Sequence, residues 1–222
     1  MLSKTKGIVL SFIKFKETSI ISKIFTEKFG LQSYIINRVR VKNSKFQISS
    51  FQPLSLLDLV VYTNKKNKLG RLNEVNFDHI YLTNHQDQKK ISICLFLSEI
   101  LLKMINFQNY DPSTFIFMRK SLLEFDNMKK NYENFHLQFL IKFSKFLGFE
   151  VSDISNFSNF QLQKKGMIEF LNQIIISDYS SHIKTTSLKR NKALEIIIDY
   201  FREKTEMRIN LHSISVLNKI FV

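Results

Sequence analysis

Basic side chains interleaved with aromatic ones crowd the first eighty residues, and together they have the chemistry of a polyanion site. Lys14 and Lys16 flank Phe15, Lys23 lies two before Phe25, and Lys28 precedes Phe29. Arg38, Arg40, Lys42 and Lys45 follow Tyr34, and Lys65, Lys66, Lys68 and Arg71 follow Tyr62. A single-stranded nucleic acid asks for cations along its phosphates and for ring faces on which its bases stack. On a strand, residues two apart share a face, so Lys14 is expected to project with Lys16. Arg38, Arg40 and Lys42 do the same if their strand runs that far.

Taken one residue at a time, the ordinary reading is a solvated lysine face around an aromatic core. The distribution of charge favours binding, because solvated faces normally mix both signs. Residues 1–80 hold 14 Lys/Arg against 5 Asp/Glu, a balance of +9, whereas residues 81–222 hold 19 against 14, a balance of +5. The overall +14 carries less weight. Of the 33 basic residues 26 are Lys, and Lys, Asn, Ile and Phe are abundant while Trp is missing. Codons rich in A and T encode these favoured residues, so genomic base composition alone raises lysine.

Catalytic constellations are wanting. The sequence has no P-loop, no dinucleotide-binding glycine fingerprint, no nucleophile elbow and no zinc-protease or paired-cysteine motif, and its five glycines leave little material for a phosphate-cradling loop. His79 and His85 stand six apart without carboxylate or cysteine company, which is poor spacing for a metal. Cys94, the single cysteine, sits on an apolar helical face and reads as a small core residue. His136 reads as a polar helix residue rather than a general base, since no partner is adjacent. No enzyme activity, cofactor or metal is expected. Lys4, Lys6, Lys14 and Lys16 interrupt the apolar character of the N-terminus, and the run Ile91 to Ile105 contains Glu99 and Lys103. Neither an export signal nor a membrane span fits, so a cytoplasmic protein in a reducing compartment is expected, nucleoid-associated if its polyanion is DNA.

The elements that must position the basic residues follow from periodicity. Alternation predicts strands around Ile8 to Ile13, over Thr18 to Glu27, over Leu31 to Arg40, over Leu54 to Tyr62 behind Pro53, and over Arg71 to Leu82. A hairpin turn is predicted at Glu27 to Gly30, with basic loops at Lys42 to Lys45 and Asn64 to Lys68. Five strands in about eighty positions suit a small closed barrel.

Beyond His85 the period becomes helical. Ile93, Leu97, Ile100 and Met104 line one helix; Asp111-Pro112 opens a second through Phe115, Met118, Leu122 and Phe125; a third carries Phe135, Phe139 and Phe143 and stops at Gly148. Residues 151–166 read as a loop, followed by helices at Met167 to Ile176, Ser187 to Lys204 and Ser213 to Phe221. The expected fold class is α+β: a small closed β-barrel over residues 1–83 followed by a helical domain over 84–222. Lys189, Arg190 and Lys192 form a second basic cluster, read as a solvated helix start.

The order of these features resembles the RecO family. Thr5 to Leu10, Phe15 to Ile21, Phe25 to Gly30, Phe51 to Leu54 and Leu56 to Leu59 are similar to that family's N-terminal OB-fold. Phe135 to Leu140, the Leu147-Gly148-Phe149 step and Arg190 to Arg202 are similar to its helices, in the variant found in Bacteroidetes-type bacteria. The resemblance covers essentially the whole chain. It implies a non-enzymatic recombination mediator in DNA repair that binds single- and double-stranded DNA and anneals complementary strands coated by single-strand-binding protein. Such a mediator acts with RecR, sometimes with RecF, to load RecA. The helical part would also receive the acidic, hydrophobic-ended tail of single-strand-binding protein. The DNA-binding residues carried over are Lys14, Lys16, Lys23, Arg38, Arg40, Lys42, Lys45, Lys65, Lys66, Lys68 and Arg71. Many relatives have a four-cysteine zinc motif; one cysteine cannot form it. The residue chemistry alone leaves open an RNA-binding OB module or a non-catalytic protein–protein scaffold.

Overall fold

The computed structural model describes residues 1–62, 69–105, 111–157 and 166–220. Lys65, Lys66 and Lys68 lie outside the described residues. The five strands are β1 (Leu2–Phe15), β2 (Ser19–Thr26), β3 (Gly30–Ile36), β4 (Leu56–Tyr62) and β5 (Gly70–His79). They close into a barrel in the order β1-β2-β3-β5-β4, antiparallel except where β3 runs parallel to β5. The closed barrel read from the alternation, the OB-fold that the resemblance implies, is therefore the architecture present.

Closure depends on β1, which serves two neighbours. Its first half, Leu2 to Ile8, pairs with β4, and its second half, Gly7 to Phe15, pairs with β2 through a bulge between Val9 and Ser11. At the handover sits Gly7, where a Cβ would lie 2.7 Å from both the Ile24 and Leu59 side chains. Only a residue without a side chain lets the strand bend inward over the core at that point. The barrel interior is filled by Val9, Ile20, Ile24, Tyr34, Ile36, Leu57, Leu59, Val61 and Leu72, with Val39 and Phe51 plugging in from the β3–β4 connection.

Six helices follow in the described residues: α1 (Gln88–Ile105), α2 (Pro112–Asn127), α3 (Phe135–Ser144), α4 (Met167–Ile176), α5 (Ser187–Thr205) and α6 (Ser213–Ile220). The Asp111 carboxylate accepts from the Ser113 backbone N–H at 2.9 Å, the N-terminal capping expected of Asp-Pro. None of these helices is long and apolar enough to cross a membrane.

The chain packs as two compact units. One is Met1–Leu82 with Ser98–Lys120; the other is Thr83–Leu97 with Ser121–Val222. In the first unit Phe115 of α2 packs on Phe25 with ring centroids 6.0 Å apart, and Arg119 Nε donates to Asp78 at 2.6 Å. In the second unit the core is largely aromatic: Phe125 stacks on Phe135 at 4.1 Å, Phe135 meets Tyr179 at 4.7 Å, and Phe149 meets Phe201 edge-on at 5.2 Å.

Candidate nucleic-acid interface

Strand register decides which loops share an end of the barrel. Phe15 pairs with Ser19, Ile20 with Ile36, Ile35 with Arg71, and Arg71 with Tyr62. The turn at 16–18, the segment leaving β3 and the start of β5 therefore crowd one end. Lys14, Lys16, Arg38, Arg40, Lys42, Lys45 and Arg71 all lie there with exposed side chains, and exposed Lys23 stands on the outer face of β2 one pleat below Ile21. A backbone hydrogen bond from Arg40 N–H to Thr18 C=O, 3.1 Å, ties the post-β3 segment to the 16–18 turn.

The reason these residues converge differs from the expected one. β1 stops at Phe15, so Lys16 is not two pleats along from Lys14; it sits in the turn with φ 52. Likewise β3 stops at Ile36 rather than Arg40, and Arg38 turns the chain with φ 57 so that Val39 can enter the core. Arg38, Arg40 and Lys42 share the barrel's end rather than a strand face. Of the aromatics interleaved with the cations, Tyr34 is 3% exposed and Phe25 2%, so both are core. Burial pushes the Tyr34 hydroxyl up to about 12. Tyr62 is 48% exposed at the end of β4 and is a free ring face.

A groove of 330 Å³ opens in this end, with Arg38, Lys45, Phe46 and Arg71 among its walls. Asn73 organises one side. Its backbone carbonyl accepts from Lys45 Nζ at 2.6 Å and its side-chain oxygen from the Tyr62 hydroxyl at 3.1 Å. Lys45 Nζ also stands 5.4 Å from the centroid of Phe46. Phe46 and Asn73 are not among the residues expected from the sequence; the Lys45-Phe46 dipeptide is the signal that points to the first, whereas Asn73 comes into play through a strand bulge between β4 and β5.

The two ends of the barrel differ in charge, the far one holding exposed Lys4 and Lys28 among Glu27, Asp58 and Glu74. At that far end Lys6 pairs with Asp58 and Asp78, and Arg119 completes the cluster through Asp78. Partial burial works against the Asp78 carboxylate, but hydrogen bonds from Arg119 and Lys6 outweigh it and hold the group below the usual carboxylate range. None of the eight described candidate cations pairs with a carboxylate among the described residues. Glu17, in the 16–18 turn, is the acid that remains beside them. Cations unneutralised by the protein are the ones a polyanion can neutralise.

Residues 1–81 match the family model described as "Recombination protein O N terminal", and residues 85–153 match "Recombination protein O C terminal". The DNA repair protein RecO of Flavobacterium psychrophilum is 33% identical over 239 residues, with all of both chains covered. The chain belongs to the RecO family. Two further relatives named DNA repair protein RecO, from Flavobacterium johnsoniae at 29% identity and Phocaeicola vulgatus at 28%, are likewise matched over the full length of both chains. This agrees with the resemblance carried by the ordered motifs.

In this RecO-family chain the remaining chemistry-bearing residues are structural. Cys94 is 2% exposed, its thiol 3.8 Å from the Asn84 carbonyl, and burial pushes it up to about 12. His136 is buried edge-on against Phe96, and burial together with nearby Arg190 brings it down to about 3. Arg190 itself is 8% exposed and donates to Asn134 at 3.0 Å, so it is not part of a solvated helix start. Among the described residues no group of three His, Cys, Asp or Glu side chains could hold a metal ion.

Proposed function

We propose that this RecO-family protein is a non-enzymatic recombination mediator that holds DNA on the basic end of its barrel and anneals complementary single strands. The observation that carries this reading is the concentration of charge: seven exposed cations without carboxylate partners among the described residues at one end, with Lys23 beside them on β2, whereas at the other end Lys6 and Arg119 are engaged by acids. Contacts from cations to phosphates hold both single and double strands without reading sequence, which is what bringing arbitrary complements together requires. The family supplies the wider setting: action in the cytoplasm on strands coated by single-strand-binding protein, whose acidic tail is a partner, and cooperation with RecR, and in some systems RecF, to load RecA. The sites proposed are Lys14, Lys16, Lys23, Arg38, Arg40, Lys42, Lys45 and Arg71, with Lys65, Lys66 and Lys68 outside the described residues.

Mixing complementary oligonucleotides with the protein across a salt series tests it, with and without single-strand-binding protein. Retarded single strands at low salt and faster annealing are expected. If neither occurs, the proposal fails. A matched RNA strand that outcompetes DNA would instead make the barrel an RNA-binding module.

A further inference from the structure

We propose that the groove between Arg38, Lys45, Phe46 and Arg71 is a subsite for one unstacked nucleotide, and that through it the barrel tells single strands from duplex. This rests on the nucleic-acid reading of the barrel's basic end.

The 330 Å³ groove lies near the small end of the roughly 300–1,000 Å³ typical of small-molecule sites. That is room for one nucleotide. Its composition matches the three parts of a nucleotide. Arg38 and Lys45 of the β3–β4 connection and Arg71 of β5 supply cations for phosphate; Ile35, Phe46 and Leu72 supply an apolar surface for a base; Asn37 and Asn43 supply amides for base edges. The walls are held before any ligand arrives. Lys45 is fixed on the Asn73 carbonyl, Asn37 accepts from the Ser19 hydroxyl at 3.2 Å, and the Phe46 N–H donates to the Ser44 hydroxyl at 3.2 Å. Pre-set walls spare the ordering that weakens flexible sites.

The backbone gives a second, independent sign. Arg38 occupies left-handed conformation, φ 57, where Gly or Asn is the ordinary choice. Keeping an arginine in an unfavourable conformation on the rim of a concave site is how a chain retains a side chain it uses.

In a duplex the bases are paired and stacked, so a duplex offers only its phosphates, to exposed Arg40, Lys42 and Lys23. A single strand offers phosphates and a base together. Pairing with a complement then withdraws the base from the groove, so the annealed product is held less tightly than the strand that entered. An annealing surface built this way lets go of what it has made.

The test uses the full chain and fluorescence anisotropy at one salt concentration. The probes are an oligodeoxythymidylate, a sugar-phosphate strand of equal length without bases, and a blunt duplex. The wild type is expected to bind the base-bearing strand about tenfold more tightly than the abasic one, the size of a base–aromatic contact. Phe46→Ala removes the apolar wall, and Asn43→Leu, at an exposed loop position, narrows the mouth without changing charge. Each should bring the ratio near one with duplex affinity and salt dependence unchanged. Equal affinity of the wild type for the abasic and base-bearing strands overturns the subsite and leaves the DNA-binding reading standing. Failure to bind any of the three probes at low salt overturns both.

Discussion

Replacing Arg38 with Asn should move stability and binding in opposite directions, and both magnitudes follow from the structure. Arg38 holds φ 57 in the segment that leaves β3. A residue with a long side chain in the left-handed region carries strain on the order of 1 kcal/mol, while Asn adopts it readily. Arg38 is exposed, so nothing buried is lost in the exchange. Arg38→Asn should therefore stabilise the fold by about 0.5–1 kcal/mol, or roughly 2–3 °C in Tm for a chain of this length. Binding should weaken. A cation that neutralises one phosphate contributes about 0.7 to the slope of log affinity against log salt for single strands, which amounts to about fivefold at 0.1 M salt. Thermal melting and a fluorescence-anisotropy salt series on the same two proteins give both numbers, and Arg38→Lys, which keeps the charge, should restore the slope. A variant that melts lower and binds with an unchanged slope would show that Arg38 serves the fold alone, and the reasoning from strain to function would be refuted.

Cys94 should resist alkylation at pH 8 in the native protein and react on unfolding, since burial has pushed its thiol up to about 12; rapid labelling without denaturant would contradict this. His136 is held neutral down to about 3 whereas in the unfolded chain it takes a proton near its ordinary 6.5, so its contribution is intact above pH 6.5 and is lost as pH falls toward 3. The loss approaches about 1.4 kcal/mol per pH unit, and melting between pH 7 and 4 should show His136→Gln losing less than the wild type. At Gly70 a Cβ would lie 2.7 Å from the Tyr34 ring, so Gly70→Ala must displace a buried aromatic; about 1–3 kcal/mol of destabilisation by chemical denaturation is expected.

The barrel was legible because alternation reports burial, and burial is what a closed sheet imposes on each strand. The end of β3 was not: Ile36 to Arg40 continues the same alternation, and only the need to fill the barrel's open end with Val39 turns the chain at Arg38. That need comes from residues far away in sequence. The same holds for Phe25, which lies on the outward face of β2 yet is buried because Phe115 of α2 covers it. The end of α1 and the start of α2 are legible as helix, but their packing with the barrel leaves no trace in local periodicity.

The candidate site shows what a charge count can and cannot do. Lysine and arginine look alike in a sequence, but the fold sorts them into separate roles. Lys90 is 1% exposed, donates to the Thr83 hydroxyl and the Phe125 carbonyl, and stands near the rings of Phe125 and Tyr132. Arg190 is spent on Asn134, and Lys6 and Arg119 on Asp78. Those cations hold the protein to itself; desolvation and nearby carboxylates have already determined their interactions. Most of the cations left over on the barrel come together where β1, β3 and β5 begin or end their runs, around a groove with Phe46 in its wall, while exposed Lys4 and Lys28 stand at the other end beside Glu27 and Asp58. A lysine-rich genome can raise the number of cations everywhere, but it does not by itself gather seven of them, without carboxylate partners among the described residues, at one end of a closed sheet. The basic end is therefore the part of the +14 that asks for a functional explanation.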